Sequence, residues 1–535
     1  MSGRPPAPWM AVAVAAAAVI AAAPGIGNGF VYDDAPIIVD NPLIHPLSNA
    51  PALWTSGYWP AGLLYRPVAT QLFALEWAAG GGRPLAFHIV SIGLALTAAL
   101  LFWRLSYRLL PSLAAWLVAL LFAVHPVHVE VVANAVGQAE LLATIFALIV
   151  VERYLAWRRE GPLSVSRRAL LAILTLLSIL SKETGYVIPV LCAAAELLVV
   201  RPARGASWQA REAGSVLGLQ MAAVLAAILL RVAVLGPTPA AGPAVALRDL
   251  PAVERIVGML AVVPHWVRLL FWPAHLQAEY GPPALAVTGA VGGKHLLGLG
   301  IVVASFAVGV ICLRRAPVLA LGLAWSAAAL LPVSNLLTAT GVILAERTLF
   351  LPSAGAMLAA GTGLASLLAW LKARRSSMRR VVLAGVGVLA MAALVRTMER
   401  QRVWRSQEAF FDRLLADAPT SYRAHLVASV YYARSGRAAD AEGAARRGLE
   451  LFRGDPHLYE HLGQLLRRDG RCLEALPVLT EAVWRFPDQT IARSRLIECT
   501  LVVGDSAGAL RLAEQAVSTG HLEFEQTIRR LSPPR

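Results

Sequence analysis

Two adjacent carboxylates, Asp33 and Asp34, follow the first apolar segment of this 535-residue chain at once. Because adjacent carboxylates repel each other, one can keep a raised pKa while the other stays ionised, which suits general-base catalysis. Their hard oxygen atoms could instead bind a divalent metal ion, and an Asp-Asp pair can also be a solvated acidic turn. The residues alone leave these three interpretations open.

Three cations stand near the ends of other apolar segments: Arg66, Lys182 and Arg347. Each could bind a lipid phosphate, for which a guanidinium or an ammonium group is suited. The structural alternative is ion pairing with Glu183 and Glu346, which stand beside two of the cations. Ionisable residues in membrane segments are costly, so this grouping indicates a functional site.

The densest polar stretch is His125-Pro-Val-His128-Val-Glu130. His and Glu are zinc ligands, but this spacing is not that of a known metalloprotease helix, so zinc is the less favoured interpretation. A nucleotide-binding glycine fingerprint and a G-x-S-x-G nucleophile motif are both absent from the sequence. A soluble nucleotide-sugar or hydride-transfer site is therefore unsupported.

The composition predicts that membrane helices position these residues. The chain is 57% hydrophobic and 15% charged, against about 25% charged in soluble domains. Long uncharged stretches recur through the first 395 residues, which predicts a polytopic membrane domain at 1–395. We expect about 11 spans, at roughly 9–24, 86–103, 112–129, 137–152, 169–184, 186–200, 214–235, 290–312, 317–335, 347–371 and 381–395.

The distribution of Lys and Arg predicts the orientation. One set of connections carries eighteen of these residues and the opposite set seven, which places the N-terminus inside. With an odd number of spans, the acidic pair, its loop at 25–85 and the C-terminal tail then lie outside. A cleaved signal peptide is the alternative for the first segment. An uncut span is favoured, because the loop after it needs an anchor at the membrane face.

The tail predicts a repeat domain with a period of 34 residues. Gly436, Gly470 and Gly504 show this spacing, and so do three alanines of the same units. The pattern is typical of tetratricopeptide helix pairs, in which the glycine turns the chain between two helices. We therefore predict a connecting helix at 396–420 and an α-solenoid of about three repeats at 421–535. The four cysteines form no C-x-x-C pair, so neither a zinc site nor a disulfide framework is expected.

Several sequence features suggest a bacterial inner (plasma) membrane protein with its repeats on the periplasmic side. Lysine occurs only three times against 45 arginines, with an excess of Ala and Gly and no N-x-[ST] sequon. The net charge of +15 is interpreted as cytoplasmic anchoring charge. Nucleic-acid binding is set aside, because no arginine-rich tract with interleaved aromatic residues occurs.

Seven motifs in a fixed order carry a resemblance to a known family. The motifs are Val31-Tyr-Asp-Asp34, Tyr65-Arg-Pro-Val68, the stretch His125 to Glu140, Ser181-Lys-Glu-Thr184, Phe271-Trp-Pro-Ala-His-Leu276, Glu346-Arg-Thr-Leu-Phe-Leu-Pro-Ser353 and Val403-Trp404. With these motifs, the chain resembles the transmembrane and tetratricopeptide-repeat protein O-mannosyltransferases that act on cadherins, and their bacterial relatives, over nearly its whole length.

The resemblance implies an all-α, GT-C-type fold and an inverting glycosyltransferase that uses a polyprenyl-phosphate sugar, mannose in the named family. An acidic residue just after the first span serves as base in that fold, which points to Asp33 or Asp34. Arg66, Arg347 and Lys182 would bind the donor phosphate. The acceptor, a protein or glycan hydroxyl, could be held by the repeats. The side chains expected to orient the acceptor or the carboxylates are His125, His128, Glu130, His88, Glu183 and Glu346.

No cofactor or resident metal is expected, although the sequence does not exclude a divalent metal at the acidic pair. The alternative function is non-enzymatic: a membrane scaffold whose repeats recruit an envelope-assembly partner. In a third interpretation the lipid-linked substrate is kept, but the protein is a glycan polymerase or ligase. Loss of function on deleting the tail would favour the scaffold, and loss on neutralising Asp33, Asp34 and Arg66 would favour the enzyme.

Overall fold

The computed structural model describes residues 7–60, 64–200, 207–237, 242, 244–285 and 287–532. The described residues form helices and turns with no β-strand, so the all-α prediction is confirmed. The α-helices are α1 Pro8–Ala22, α2 Pro67–Gly80, α3 Pro84–Leu109, α4 Ser112–Ala123, α5 Val129–Ala133, α6 Gln138–Glu160, α7 Val165–Ser181, α8 Ile188–Ala195, α9 Ser207–Leu235, α10 Ala252–Leu260, α11 Val263–Phe271, α12 Gly293–Arg315, α13 Pro317–Leu330, α14 Phe350–Ala373, α15 Met378–Gln401, α16 Gln407–Asp417, α17 Tyr422–Arg434, α18 Ala438–Leu451, α19 Pro456–Arg468, α20 Cys472–Arg485, α21 Thr490–Val502, α22 Ser506–Ser518 and α23 Glu525–Leu531.

The polytopic prediction is confirmed, with fewer clear spans than expected. Eight helical stretches among the described residues are long and apolar enough to cross a membrane, or nine if the bent pair α4 and α5 counts as one span. The expected spans at 169–184 and 317–335 are helices of only 17 residues, α7 and Pro317–Val333. These two helices lie at the short end of the range for a membrane span, about 17–25 residues. The eight are Pro8–Gly27, Pro84–Leu109, Ala135–Glu160, Glu183–Val200, Arg211–Leu235, Gly293–Arg315, Glu346–Ala373 and Met378–Trp404.

The chain divides into two compact units. The first comprises Met1–Ala278 and Val287–Phe410, and the second comprises Glu279–Ala286 and Phe411–Arg535. The core of the first unit lies where α3, α4, α6 and α14 pack together, around buried side chains such as Phe102, Phe122 and Leu148. α6 is the most enclosed of the apolar helices, so both of its ends are anchored by surrounding elements.

The loop after α1 has a small hydrophobic core of its own. Ile37, Ile38 and Leu53 from the loop pack against Phe73 of α2 and Phe87 of α3. A single wide helical turn at Ala35–Val39 begins directly after the acidic pair. Because these apolar side chains hold the loop against α2 and α3, the carboxylates stand on an ordered support.

The second unit consists of successive helix pairs. α17 packs on α18, α19 on α20 and α21 on α22. The backbone angle φ is 76° at Gly436, 74° at Gly470 and 90° at Gly504, each in the turn inside a pair. These values lie in the left-handed region that favours glycine, so the predicted chain reversals at this spacing are confirmed. The tetratricopeptide assignment itself stays a prediction.

The two tail cysteines correct one expectation. Cys472 at the start of α20 and Cys499 on α21 form a disulfide. The sequence predicted no disulfide framework, because residues 27 apart show no recognisable pairing pattern. The packing of α20 against α21 brings the two sulfur atoms together, which no local spacing reveals.

Candidate active site

The acidic pair splits into two different environments. Asp34 is fully buried, and its carboxylate accepts hydrogen bonds from three main-chain N–H groups: Val136 at 2.9 Å, Val31 at 3.1 Å and Ala135 at 3.3 Å. Asp33 is only half-buried. Asp34 therefore fixes the loop, while Asp33 is left at the partly exposed position.

Two opposing effects act on the pKa of Asp34. Burial raises the pKa to about 7, against the lowering effect of the three N–H donors and with a smaller raising effect from Asp33. Two of those donors precede the first residue of α6, where unpaired N–H groups and the helix dipole favour an anion. Asp34 thus ties the loop after α1 to the start of α6.

The turn that contains Asp33 has a constrained backbone. Tyr32 has φ of 59°, an uncommon value for a residue with a large side chain. Its N–H donates to Oε1 of Gln407 at 3.2 Å, and its ring lies 5.3 Å from that of Phe410. Such strained residues cluster at functional sites, and here the strain sets the direction in which the next residue leaves the turn.

A glycine permits the close packing that supplies the N–H donors. A Cβ atom added to Gly137 would lie only 2.1 Å from the main-chain oxygen of Val131. The turn Ala135–Gly137 therefore folds back onto α5 at a distance that other residues cannot match. This approach presents the N–H groups of Ala135 and Val136 to Asp34.

The first predicted cation, Arg66, forms a forked ion pair with Glu183. Its Nη2 lies 2.6 Å from Oε2, and its Nε lies 3.1 Å from the same oxygen and 3.2 Å from Oε1. The exposed fraction is 12% for the Arg66 side chain and 32% for Glu183. Arg66 precedes α2 and Glu183 follows α7, so the pair joins two elements distant in sequence.

The other two cations, Lys182 and Arg347, pair with glutamates of the stretch His125 to Glu140. Nζ of Lys182 lies 2.8 Å from Oε2 of Glu140, whose side chain is fully buried. The guanidinium of Arg347 forms an ion pair with Glu130, which also accepts the Arg347 main-chain N–H at 2.8 Å. Glu130 is thus held by Arg347 from both its main chain and its side chain.

The three cations form one electrostatic cluster with the acidic pair. Lys182 is close enough to feel the charges of both Arg66 and Arg347. Arg347 in turn interacts electrostatically with Asp33. We call Asp33, Arg66, Lys182 and Arg347, with the three paired glutamates, the outer cluster. The structure therefore brings together side chains that the sequence places more than 300 residues apart.

The predicted histidines have structural partners. Nδ1 of His125 accepts the N–H of Val127 at 3.2 Å, so Nε2 carries the proton and donates to the main-chain oxygen of Leu270 at 3.0 Å. Nε2 of His128 lies 2.8 Å from Oγ of Ser353. These bonds tie the connection between α4 and α5 to α11 and α14, and so help to hold Glu130 beside Arg347.

The last two predicted orienting residues contact the main chain. His88 on α3 is buried, and its Nε2 lies 3.4 Å from the main-chain oxygen of Gly29 in the loop after α1. Oε1 of Glu346 accepts the N–H of Gln277 at 2.5 Å. His88 thus supports the segment that leads into Asp33, and Glu346 anchors the segment after α11.

Two residues of the site were absent from the sequence-predicted set. Glu140 partners Lys182, and its place in the polar stretch was the available signal. Tyr58 lies in the loop core and interacts electrostatically with Asp33 and Arg66. Tyr58 is one of three tyrosines in the loop at 25–85, which is also rich in tryptophan and proline. No pattern distinguishes it, so the sequence could not have singled it out.

The described part of the chain contains no group of three or more His, Cys, Asp or Glu side chains that could hold a metal ion. The divalent-metal interpretation of Asp33 and Asp34 therefore lacks a third such ligand among these residues. Moreover, Asp34 already uses its oxygens for main-chain N–H groups. The arrangement suits proton abstraction beside an anion site.

No protein-family model matches the chain. Curated relatives do: Protein O-mannosyl-transferase TMTC4 of Mus musculus is 28% identical over 480 residues, covering 78% of this chain and 63% of the mouse protein. Protein O-mannosyl-transferase Tmtc1 of Drosophila melanogaster is 26% identical over 526 residues, covering 79% and 59%. The resemblance to the protein O-mannosyl-transferases is confirmed.

The chain spans about three fifths of the length of the curated relatives it matches. Among solved structures, it overlaps with the crystal structure of an Archaeoglobus fulgidus oligosaccharyltransferase tethered to an acceptor peptide. The TM-score is 0.41 at 13% identity, over 74% of this chain and 55% of the other. A TM-score of this size does not establish a shared fold.

Proposed function

We propose that the protein is an integral-membrane, GT-C-type glycosyltransferase. It would move a sugar from a polyprenyl-phosphate donor to a hydroxyl of a protein or glycan acceptor on the outer face. Mannose is the sugar that the relatives' names suggest. The observation that carries the proposal is the outer cluster, in which the half-buried Asp33 interacts electrostatically with Arg347, and Arg347 and Arg66 both interact with Lys182.

In the proposed mechanism Asp33 is the base and Asp34 positions it. Asp33 takes the proton of the acceptor hydroxyl as the hydroxyl oxygen attacks the anomeric carbon of the sugar. The bond between that carbon and the phosphate oxygen breaks, and the lipid phosphate leaves with the electron pair. Attack from the face opposite the phosphate inverts the anomeric configuration. The support for Asp33 over Asp34 is hydrogen bonding, because both carboxylate oxygens of Asp34 already accept main-chain N–H groups.

The cations would stabilise the charge that grows on the departing phosphate. Only an interaction that strengthens as the bond breaks accelerates the reaction, and preorganised cations in a partly desolvated site meet this requirement. An arginine has five N–H donors, and Arg66 uses those on Nε and Nη2 for Glu183. Its Nη1 group would then bind a phosphate oxygen while the ion pair stays intact.

The second unit would lie on the outer side and hold a protein acceptor. Its disulfide between Cys472 and Cys499 supports this side, because disulfides persist in oxidising compartments such as the bacterial periplasm. Alkaline phosphatase, which is active only in the periplasm, would report the side when fused after residue 535. An active fusion supports the proposal, whereas a fluorescent cytoplasmic reporter and an inactive phosphatase would contradict it.

The proposed activity is tested with the full-length protein purified in detergent. It is supplied with a panel of radiolabelled polyprenyl-phosphate sugars and acceptor proteins, with and without a chelator. Asp33→Asn should lower the transfer rate by about 10²–10⁴-fold, the usual range for a general base. Asp40→Asn is the matched control, because Asp40 lies exposed in the same loop, and it should leave the rate unchanged.

Three results would count against the proposal. Full transfer by Asp33→Asn would refute the assigned base, and loss of transfer with chelator would require a metal. A folded wild-type protein that transfers no sugar from any donor would favour the scaffold interpretation. Chain extension rather than single-sugar transfer in the product would identify a polymerase or ligase.

A further inference from the structure

Tyr58 has its ring in the loop core and its hydroxyl at the outer cluster. The ring packs with Ile37, Leu53 and Phe73, and its centroid lies 6.4 Å from that of Phe73. The Tyr58 N–H donates to the main-chain oxygen of Leu64 at 2.6 Å. The side chain is therefore fixed from both its ring and its main chain.

The Tyr58 hydroxyl is buried, and no group among the described residues accepts a hydrogen bond from it. The Arg66 guanidinium stacks over the Tyr58 ring, 4.7 Å from the centroid, and its N–H groups also reach the hydroxyl oxygen. Asp33 and Asp34 are close enough to interact with Tyr58 electrostatically. The hydroxyl thus lies beside both the proposed base and a proposed phosphate ligand.

A buried tyrosine hydroxyl whose proton has no acceptor is unusual. Buried Tyr hydroxyls normally donate to a partner, and a buried donor without an acceptor is destabilising. Tyr65 in the same loop shows the ordinary case: it is buried, and its hydroxyl donates to the main-chain oxygen of Trp54 at 2.8 Å. The loop can therefore satisfy a tyrosine hydroxyl, and it does so at Tyr65 but not at Tyr58.

We propose that the Tyr58 hydroxyl donates a hydrogen bond to a phosphate oxygen of the polyprenyl-phosphate donor, next to Arg66. This assignment rests on the proposed function. Among the neighbouring anions, Asp34 already accepts three main-chain N–H groups, and Asp33 is needed for the acceptor hydroxyl. The donor phosphate is the remaining anion of the reaction, and the cation stacked on Tyr58 attracts it to this place.

Burial raises the pKa of Tyr58 above its usual value. The group therefore stays a protonated hydrogen-bond donor throughout the physiological pH range. A neutral donor adds direction without adding charge, whereas the three cations of the outer cluster already supply charge. Tyr58 would thus fix the orientation of the phosphate, and through it the line of attack on the sugar.

The test compares Tyr58→Phe with Tyr65→Phe in the detergent-purified full-length protein. Binding of polyprenyl monophosphate alone is measured, along with transfer kinetics and the melting temperature. Tyr58→Phe should weaken binding of the monophosphate at least about tenfold, as for a hydrogen bond to a charged group, and raise the donor KM. The melting temperature of Tyr58→Phe should stay equal or rise, because the substitution removes only a buried hydroxyl whose proton has no acceptor.

Tyr65→Phe should show the reverse: a lower melting temperature and unchanged binding of the monophosphate. Equal binding of the monophosphate by wild type and Tyr58→Phe would overturn the inference while leaving the proposed function standing. A lower melting temperature for Tyr58→Phe with unchanged binding would show a structural hydroxyl and also overturn it. If the proposed function itself is wrong, the wild-type protein will neither bind the monophosphate nor transfer sugar, which distinguishes that outcome from failure of the Tyr58 inference alone.

Discussion

The two ends of α6 carry ion pairs of opposite design. Its 23 residues span about 35 Å at 1.5 Å per residue. Near its last turns, Glu152 contacts Arg108 at 2.5 Å, Arg153 at 2.5 Å and Arg104 at 3.5 Å. Near its first turn, each cation of the outer cluster has a glutamate of its own, and Asp33 is an additional carboxylate.

Exposure separates the buried pair near the end of α6 from the pair of Arg347. Arg158 and Glu196, joined at 2.5 Å near the end of α6, have side chains exposed by 0% and 3%. Tyr154 also donates to this glutamate at 2.8 Å. In the outer cluster, by contrast, 27% of the Arg347 side chain is exposed. A sealed pair can only hold helices together, whereas a partly open pair that interacts with Asp33 can also meet a substrate.

Breaking one ion pair at each end of α6 should give the largest effects on stability and on the rate of transfer. Arg158→Gln leaves Glu196 buried without its cation, and removing one partner of a buried ion pair costs about 3–5 kcal/mol. Arg347→Gln leaves Glu130 with the main-chain N–H of residue 347, so its melting temperature should change less. Transfer by Arg347→Gln should instead fall by about 10²–10³-fold, as when a preorganised group that stabilises transition-state charge is removed.

Thermal unfolding monitored by size-exclusion chromatography, together with transfer assays on both variants, decides this prediction. The comparison fails if Arg347→Gln unfolds as readily as Arg158→Gln. It also fails if Arg158→Gln keeps its melting temperature. The transfer rate of Arg158→Gln is compared with that of wild type per amount of folded protein, because unfolding alone would abolish transfer.

A backbone change at the outer end should have a smaller effect. Gly137→Ala places a Cβ atom on the main-chain oxygen of Val131, so the turn must move away from Asp34, at a cost of about 1–3 kcal/mol. Gly93→Ala is the matched control, because an added Cβ there meets no atom within 4 Å. A melting temperature that falls equally in both variants would show that the close approach at Gly137 is unimportant.

The smallest effect concerns pH. Because burial raises the pKa of Asp34 to about 7 from its ordinary value of 3.8, the folded protein holds this proton between those pH values and the unfolded chain does not. The stability from this proton is fully present below about pH 4 and is lost as pH rises through 7. The melting temperature of wild type relative to Asp34→Asn should therefore fall from pH 4 to pH 8, and a constant difference would contradict the assignment.

Much of the outer cluster could be predicted because charge at the end of an apolar segment is conspicuous. Arg66, Lys182 and Arg347 stand out for this reason, and the structure gathers them. The glutamate with which each cation forms an ion pair was less predictable. Arg66 does pair with Glu183, but Arg347 pairs with Glu130 instead of its neighbour Glu346. Successive side chains on a helical turn point in different directions, so adjacency in sequence is a poor guide to contact.

Other features depend on tertiary packing that no local pattern contains. The contrast between Asp33 and Asp34 arises from N–H groups about 100 residues further along the chain. The disulfide arises from the packing of α20 on α21. The sequence also did not reveal which spans are short or bent, because hydropathy measures apolar content and not helix length or bending.

The hydrogen bond between Asp34 and the Val136 N–H can form only after residue 136 has been translated. A nascent chain that ends after α1 and its loop has the Asp34 carboxyl without two of its three N–H donors, since these follow 101 and 102 residues later. The last cation of the outer cluster, Arg347, emerges later still. Any nascent chain shorter than this therefore lacks the assembled cluster, which is complete only after most of the membrane unit has been translated and inserted.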